Sequence, residues 1–317
     1  MIVGILKTRS FEMLQKEKYG KRLVPIVTPF KNDMSVDYDA IVKIGEILLK
    51  RDYADSFILT GTTGEFFTMT SDERIKIFET MKEAFGARIP LIPHTGAAST
   101  QEAIALTRKA KELGFDLVMI VAPYYTKPSQ KELINHFSLI ADAVDIDIML
   151  YNIPIFTGVN IEPESLKELS KKSNIVAIKE EAELRPKQMS EYLLATPENF
   201  IVYCGDDTMV LEALAQGANR IGGFVSGGCH LFGGKMKKMI EEFMNGNVIE
   251  ASKIQLSLLP LLRSLSQNGR TNPVCLLKAA MALIGYPKCL PRLPLMPATN
   301  SEMIIVKEKM EQLGIVR

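Results

Sequence analysis

The chain has 317 residues, of which 47% are hydrophobic and 24% charged, with a formal net charge of +1. That is enough apolar material for one large core, and the near-zero charge speaks against nucleic acid or a membrane surface as the main partner. Four scattered cysteines (Cys204, Cys229, Cys275, Cys289) without a Cys-x-x-Cys pair, and no apolar run of spanning length, argue against a disulfide framework, a zinc site and a transmembrane segment.

Residues 1–22 read as an N-terminal extension. The first residues lack a charged region before their apolar run and a small-residue cleavage pattern, so they make a poor signal peptide, and the expected location is the cytoplasm. From Leu23 a unit repeats: a short apolar strand, a polar or glycine-bearing loop, an amphipathic helix. Strands are expected at 23–28, 56–59, 89–93, 116–121, 146–150, 174–178, 200–203 and 219–225. Helices follow at 37–50, from 71, at 99–113, 129–143, from 163, at 187–194, 208–216 and 233–244. In the first of these, Ile41, Ile44, Ile47 and Leu48 share one side. Ser71-Asp72-Glu73 supplies side-chain oxygens and early negative charge to a helix start.

Eight such units predict an α/β fold, a closed (β/α)8 TIM barrel. A doubly wound sheet would carry a Gly-x-Gly-x-x-Gly turn after its first strand, and none is present. After Met244 the strands stop. Helical runs at 248–265, 273–284 and 301–313, with Pro287, Pro291, Pro294 and Pro297 before the last, predict a C-terminal helical subdomain. The expected division is extension 1–22, catalytic barrel 23–245 and helical subdomain 246–317.

Active sites of such barrels lie at the carboxyl ends of the strands. There the run Asn174-Ile175-Val176-Ala177-Ile178 ends in Lys179. A lysine between apolar walls is desolvated, which lowers its pKa and frees an amine to attack a ketone; it could equally mark a strand leaving the core. Gly61-Thr62-Thr63-Gly64-Glu65 offers close backbone approach, two hydroxyls and N–H groups for a carboxylate, or is a tight turn. Tyr124, Tyr125 and Tyr151 sit after the fourth and fifth strands, where phenols relay protons or merely cap strand ends. Asp206 and Asp207 could bind substrate hydroxyls or cap the helix at Thr208, and Gly205, Gly222 and Gly223 would leave room for substrate. With His94, His136 and His230 as the only histidines, none paired at ligand spacing, no metal is expected.

Taken in order, Gly61-Thr62-Thr63-Gly64-Glu65, Pro123-Tyr124-Tyr125, Tyr151-Asn152-Ile153-Pro154, Ile178-Lys179-Glu180 and Gly205-Asp206-Asp207 resemble the dihydrodipicolinate synthase / N-acetylneuraminate lyase family. The likeness runs from about Leu23 to the end of the chain. It implies a barrel of class I lyases, commonly tetramers built as dimers of dimers, that form a Schiff base with pyruvate or another 2-oxo acid and need no cofactor. By the same resemblance Lys179 forms the imine, Tyr151 shuttles protons, Thr62 and Tyr125 complete the relay, Thr63 cradles the pyruvate carboxylate, and Tyr124 reaches across a dimer interface.

Two positions depart from the synthases of that family. Phe156 stands where they carry an arginine for the aldehyde's carboxylate, and a phenyl ring cannot make that bidentate pair. Glu181 stands where a small or hydroxyl residue is usual, on the same side of the strand as Lys179. It could contact substrate hydroxyls or act as a general acid/base, or pair with a cation such as Arg185. The expected activity is therefore an aldolase or dehydratase acting on a 2-keto-3-deoxy sugar acid or similar 2-oxo acid. Dihydrodipicolinate synthesis is the alternative, and a non-catalytic 2-oxo-acid-binding barrel the alternative of another class.

Overall fold

Each apolar run becomes a strand because β-branched and large apolar residues pack well on a surface buried on both faces. The computed structural model describes residues 18–181, 187–217 and 220–316. Its strands are β1 Arg22–Pro25, β2 Ser56–Leu59, β3 Leu91–Pro93, β4 Leu117–Val121, β5 Asp147–Asn152, β6 Ile175–Glu180, β7 Ile201–Cys204 and β8 Ile221–Val225. All pair in parallel in the order β3-β2-β1-β8-β7-β6-β5-β4. A single bridge between His94 and Met119 joins β3 to β4 and closes the ring. The eight predicted strands are all present, with ends shifted by a few residues; β6 runs one residue past Lys179. The predicted start of the eighth strand, Asn219, lies outside the described residues, as do most of 1–22 and Arg185.

The barrel helices are α1 Tyr38–Lys50, α2 Ser71–Phe85, α3 Thr100–Glu112, α4 Gln130–Ala143, the short α5 Pro154–Thr157, α6 Pro163–Leu169, α7 Gln188–Ala195, α8 Val210–Gly217 and α9 Cys229–Met244. Thr70 and Ser129 start α2 and α4 with reciprocal capping boxes to Glu73 and Glu132, which satisfies backbone donors that a helix start leaves open. The first of these sits one residue before the serine expected to cap that helix.

Alternation along each strand sorts side chains into two cores. Met149, Tyr151 and Ala177 point into the barrel, together with Leu23, Ile58 and Ile92. Ile148, Leu150 and Ile178 point out, toward the helices. Lys179, two residues from Ala177, shares the inner face. Tyr19, from the segment before β1, is buried in that inner cluster.

Beyond the barrel lie α10 Val248–Ser264, α11 Val274–Leu283 and α12 Asn300–Gln312. Buried charges tie them to the loop after β2. Lys278 of α11 pairs with Glu65, whose other oxygen accepts the backbone N–H of Arg292 at 2.9 Å. The Arg292 guanidinium in turn grips Glu73 at 2.8 Å and the Thr68 carbonyl at 2.9 Å. Glu65 holds a left-handed backbone, φ 59°, uncommon for a residue with a Cβ. Among the described residues, no helix is long and apolar enough to cross a membrane.

Candidate active site

Strand register assembles the site. Lys179 of β6 pairs directly with Tyr151 of β5 and with Tyr203 of β7. Two side chains at the same level on neighbouring strands must meet, and the Lys179 Nζ lies 3.9 Å from the centre of the Tyr151 ring. The Tyr151 hydroxyl sits 3.4 Å from Thr62 Oγ1, on the loop after β2. Lys179 is 6% exposed and Tyr151 1%.

Glu180 and Glu181 separate by the same alternation. Glu180 faces outward, where it accepts hydrogen bonds from Asn152 at 2.9 Å and Gln188 at 3.0 Å. Glu181 faces inward, its Oε2 3.6 Å from Lys179 Nζ. A Cβ on Gly205 would stand 2.5 Å from Lys179 Cε and 2.6 Å from Glu181 Oε2, so a larger residue there would displace the ends of these two side chains.

A cavity of about 310 Å³ opens on this cluster at the carboxyl ends of the strands. Thr62, Thr63, Tyr151, Phe156, Lys179 and Glu181 line it, and Gly205, Asp206 and Asp207 complete that wall. Next to it lies a mostly apolar cavity of about 460 Å³, lined by Phe66, Phe67, Tyr124 and Leu295; both cavities share Thr62, Ile153 and Phe156.

Charge in the site departs from the expectation for Lys179. Burial lowers its pKa, but the Tyr151 oxygen and the Glu181 and Asp207 carboxyls outweigh that and hold it above the ordinary lysine value. In the substrate-free site the nitrogen is an ammonium, which must lose a proton before it can attack. Burial likewise holds the Tyr151 phenol up, so it is neutral and can donate. Burial pushes Glu181 up to about 8; Lys179 opposes the shift, while Asp206, Asp207 and Glu180 add to it. Asp207 is pushed up to about 6, again by burial first.

Some of the other candidates line the cavity and others do not. Gly222 and Gly223 do not border the cavity: added Cβ atoms would strike Ile201 and Tyr203, or the backbone of Lys21, so these glycines serve strand packing. Gly61 is also absent from the lining, and its carbonyl accepts the Phe66 N–H. Asp206 Oδ1 accepts the Thr208 N–H and hydroxyl, each at 2.7 Å, as a helix-start cap would. Asp207 accepts the Gly228 N–H at 2.8 Å. His94 is a fully buried wall residue, its Nδ1 3.0 Å from the Thr60 carbonyl.

The two adjacent tyrosines differ in exposure. Tyr124, expected to reach outward, is half-buried and packs its ring 5.8 Å from that of Phe66. Tyr125, expected beside Tyr151, is 92% exposed and does not line the lysine cavity of its own chain. Its φ of 73° lies in the left-handed region, strained for a tyrosine.

Arg263, Ser266 and Asn272, which no sequence pattern marks, also line the cavity, as do Gly227 and Gly228. The two glycines follow β8 in the glycine-rich run Gly222-Gly223-Phe224-Val225-Ser226-Gly227-Gly228. The other three come from the C-terminal helical region, where no local pattern signals a pocket.

The model of the dihydrodipicolinate synthetase family matches residues 18–313. The chain is 40% identical over 298 residues to a 4-hydroxy-tetrahydrodipicolinate synthase from Heliobacterium modesticaldum, covering 94% of this chain and 97% of that protein. It is 39% identical over 295 residues to one from Desulforudis audaxviator, covering 93% and 96%. Among solved structures, a dihydrodipicolinate synthase from Bacillus anthracis superposes with a TM-score of 0.86 at 35% identity, covering 92% of this chain and 98% of that one. One from Cyanidioschyzon merolae gives 0.87 at 35%, covering 94% and 99%. With that match over nearly its whole length and the same eight-stranded barrel, the chain belongs to the dihydrodipicolinate synthetase family and is a pyruvate-dependent lyase.

Proposed function

We propose that Lys179 forms an imine with the keto carbon of pyruvate or a hydroxylated 2-oxo acid, and that the cationic imine draws electrons from the bond broken or made beside it. The observation that carries this reading is the buried Lys179 nitrogen, 3.9 Å from the Tyr151 ring and facing the cavity. Tyr151 and Thr62 then carry two protons from the nitrogen to the carbonyl oxygen, one before the amine attacks and one from the carbinolamine nitrogen after it, and the oxygen leaves as water. Thr63 and the backbone around it hold the substrate carboxylate. Glu181, Asp206 and Asp207 face the distal hydroxyls.

Tyr125 acts in a second copy in this reading. Its exposure and its strained backbone suit a side chain held out for a neighbour, and Tyr124 beside it lies near the same interface. The assembly proposed is a homo-oligomer, a tetramer arranged as a dimer of dimers. The working compartment proposed is the cytoplasm, and 1–22, 23–245 and 246–317 are proposed as extension, barrel and helical subdomain.

Borohydride added with pyruvate tests the central step. A mass increase mapped to Lys179, absent in Lys179→Ala, is the expected result; an unmodified Lys179 in active protein overturns it.

The names of the relatives favour a second reading, condensation of pyruvate with aspartate semialdehyde. Phe156 offers that aldehyde's carboxylate no charge, whereas Arg263 of α10 lines the same cavity. If the synthase reaction is the true one, Arg263→Ala raises KM for the semialdehyde. A panel of 2-keto-3-deoxy acids assayed against the semialdehyde separates the two substrates.

A further inference from the structure

We propose that the protein carries a second small-molecule site, for an organic phosphate with an apolar or aromatic body, in the cavity where the barrel meets the C-terminal helices. The inference is independent of the imine at Lys179.

A cavity of about 540 Å³ lies at this junction, larger than the one at Lys179. The barrel supplies Arg51 and Tyr53, from the segment between α1 and β2, and Lys235 of α9. The helices beyond it supply Ile284, just after α11, and Lys307 of α12. Small-molecule sites favour such junctions and such volumes. Three cations line the cavity and, among the described residues, no carboxylate does. On a chain whose formal net charge is +1, that is a local excess of positive charge, and it raises the concentration of anions at this spot.

Neighbouring acids do not cancel the excess. Asp52, next to Arg51, is taken up by Arg22 at 2.9 Å and Lys237 at 2.6 Å. Glu311 stands 3.4 Å from Lys307, one turn along α12, an exposed pair of a kind that contributes little. Among the described residues, Lys235 makes no ion pair.

The walls are in place before a ligand arrives. Arg51 donates to the Ile284 carbonyl at 2.6 Å, and its guanidinium lies 4.9 Å from the centre of the Tyr286 ring and 5.9 Å from that of Tyr53. Tyr286 is itself pinned, its hydroxyl donating to the His230 carbonyl at 2.9 Å. A planar fork held in this way loses little freedom when it grips a phosphate. On the other side, Gly233 lets Tyr53 lie against α9, since a Cβ at 233 would stand 2.6 Å from Tyr53 Cβ. Leu283, 45% exposed, extends this apolar wall. Phosphate oxygens take the cations, and the organic body takes Tyr53 and Leu283. A bare anion would make no use of the second set, and an uncharged ring no use of the first.

The test titrates the full-length enzyme by calorimetry with ADP and with phenyl phosphate, using pyrophosphate and adenosine as charge-only and ring-only probes. Expected is saturable binding of an aromatic phosphate, tighter than that of pyrophosphate or adenosine. In the double variant Lys235→Ala, Lys307→Ala, which removes two exposed ammonium groups and leaves the core untouched, binding should weaken roughly tenfold or more. In Arg263→Ala, which removes a cation from the lysine cavity instead, it should be unchanged. No saturable binding of either aromatic phosphate overturns the inference, as does equal binding by the double variant. Weakening by Arg263→Ala places the ligand in the lysine cavity and overturns it too. Pyrophosphate or adenosine binding as tightly as ADP overturns the paired recognition of charge and ring.

Discussion

Lys179 and Tyr151 are register partners on adjacent strands, and the lysine nitrogen rests 3.9 Å from the centre of the tyrosine ring. The pairing sets the phenol beside an ammonium that must become an amine. Tyr151→Phe keeps the ring and removes only the hydroxyl. Expected is a fall in kcat of about 10²–10⁴-fold, with slower but complete trapping of pyruvate on Lys179. An unchanged kcat would show that protons travel by another route.

Tyr125 gives a prediction that does not depend on substrate identity. If it serves a neighbouring copy, mixed oligomers of Lys179→Ala and Tyr125→Phe chains contain sites with an intact lysine and a neighbour's intact phenol. Activity should rise above the sum of the separate variants on mixing and re-assembly. If no recovery occurs in mixed oligomers confirmed by native mass spectrometry, Tyr125 does not act across the interface.

The buried pair Glu65–Lys278 links the loop that carries Thr62 and Thr63 to α11. Both side chains are almost fully enclosed, at 0% and 1% exposure. Burial raises the Glu65 pKa, and Lys278 is the main group opposing that shift. Lys278→Met leaves a buried carboxyl without its cation and should cost about 3–5 kcal/mol in urea unfolding. Lys278→Met combined with Glu65→Leu should recover part of that loss. If the double variant is as unstable as the single one, packing of the lysine stem dominates over charge.

Glu181 gives a pH dependence with a definite sign. Its folded pKa, about 8, lies above the ordinary value of 4.5. The folded chain thus binds more protons than the unfolded chain between those values, and stability falls as pH rises through the interval. At about 1.4 kcal/mol per unit, the penalty at pH 8 is on the order of a few kcal/mol, the opposing effect of Lys179 being already contained in that pKa. Glu181→Gln should therefore raise Tm at pH 8 more than at pH 5. Equal shifts at both values would mean that Glu181 is not held protonated.

Much of this arrangement was legible in the chain, for local reasons. Lys179 could be found because an apolar run stops on it, and the start of α2 to within a residue because Ser71-Asp72-Glu73 is a local pattern. Register is not local. Nothing near Tyr151 says that it pairs with Lys179 rather than with a residue one step along. The packing of the β8 glycines is not legible because their close neighbours, Tyr203 and Lys21, are distant in sequence. Which of the adjacent Tyr124 and Tyr125 lies exposed is set by backbone geometry, φ 73° at Tyr125, that the sequence does not reveal. The lysine's charge state was misjudged because burial alone lowers its pKa, whereas Tyr151, Glu181 and Asp207 together raise it.

The ring of strands is stitched unevenly. Five register pairs join β5 to β6, where Lys179 resides, while the contact of β3 with β4 is a single bridge at His94. Arg74 reinforces that seam from outside the ladder, donating to the carbonyls of His94 at 2.6 Å and Gly96 at 3.1 Å. Thermal breathing concentrates where fewest hydrogen bonds must open together. Amide exchange should thus begin along the His94 seam, long before the strands bearing the reactive nitrogen loosen, and the enzyme can flex without disturbing the atoms that do its chemistry.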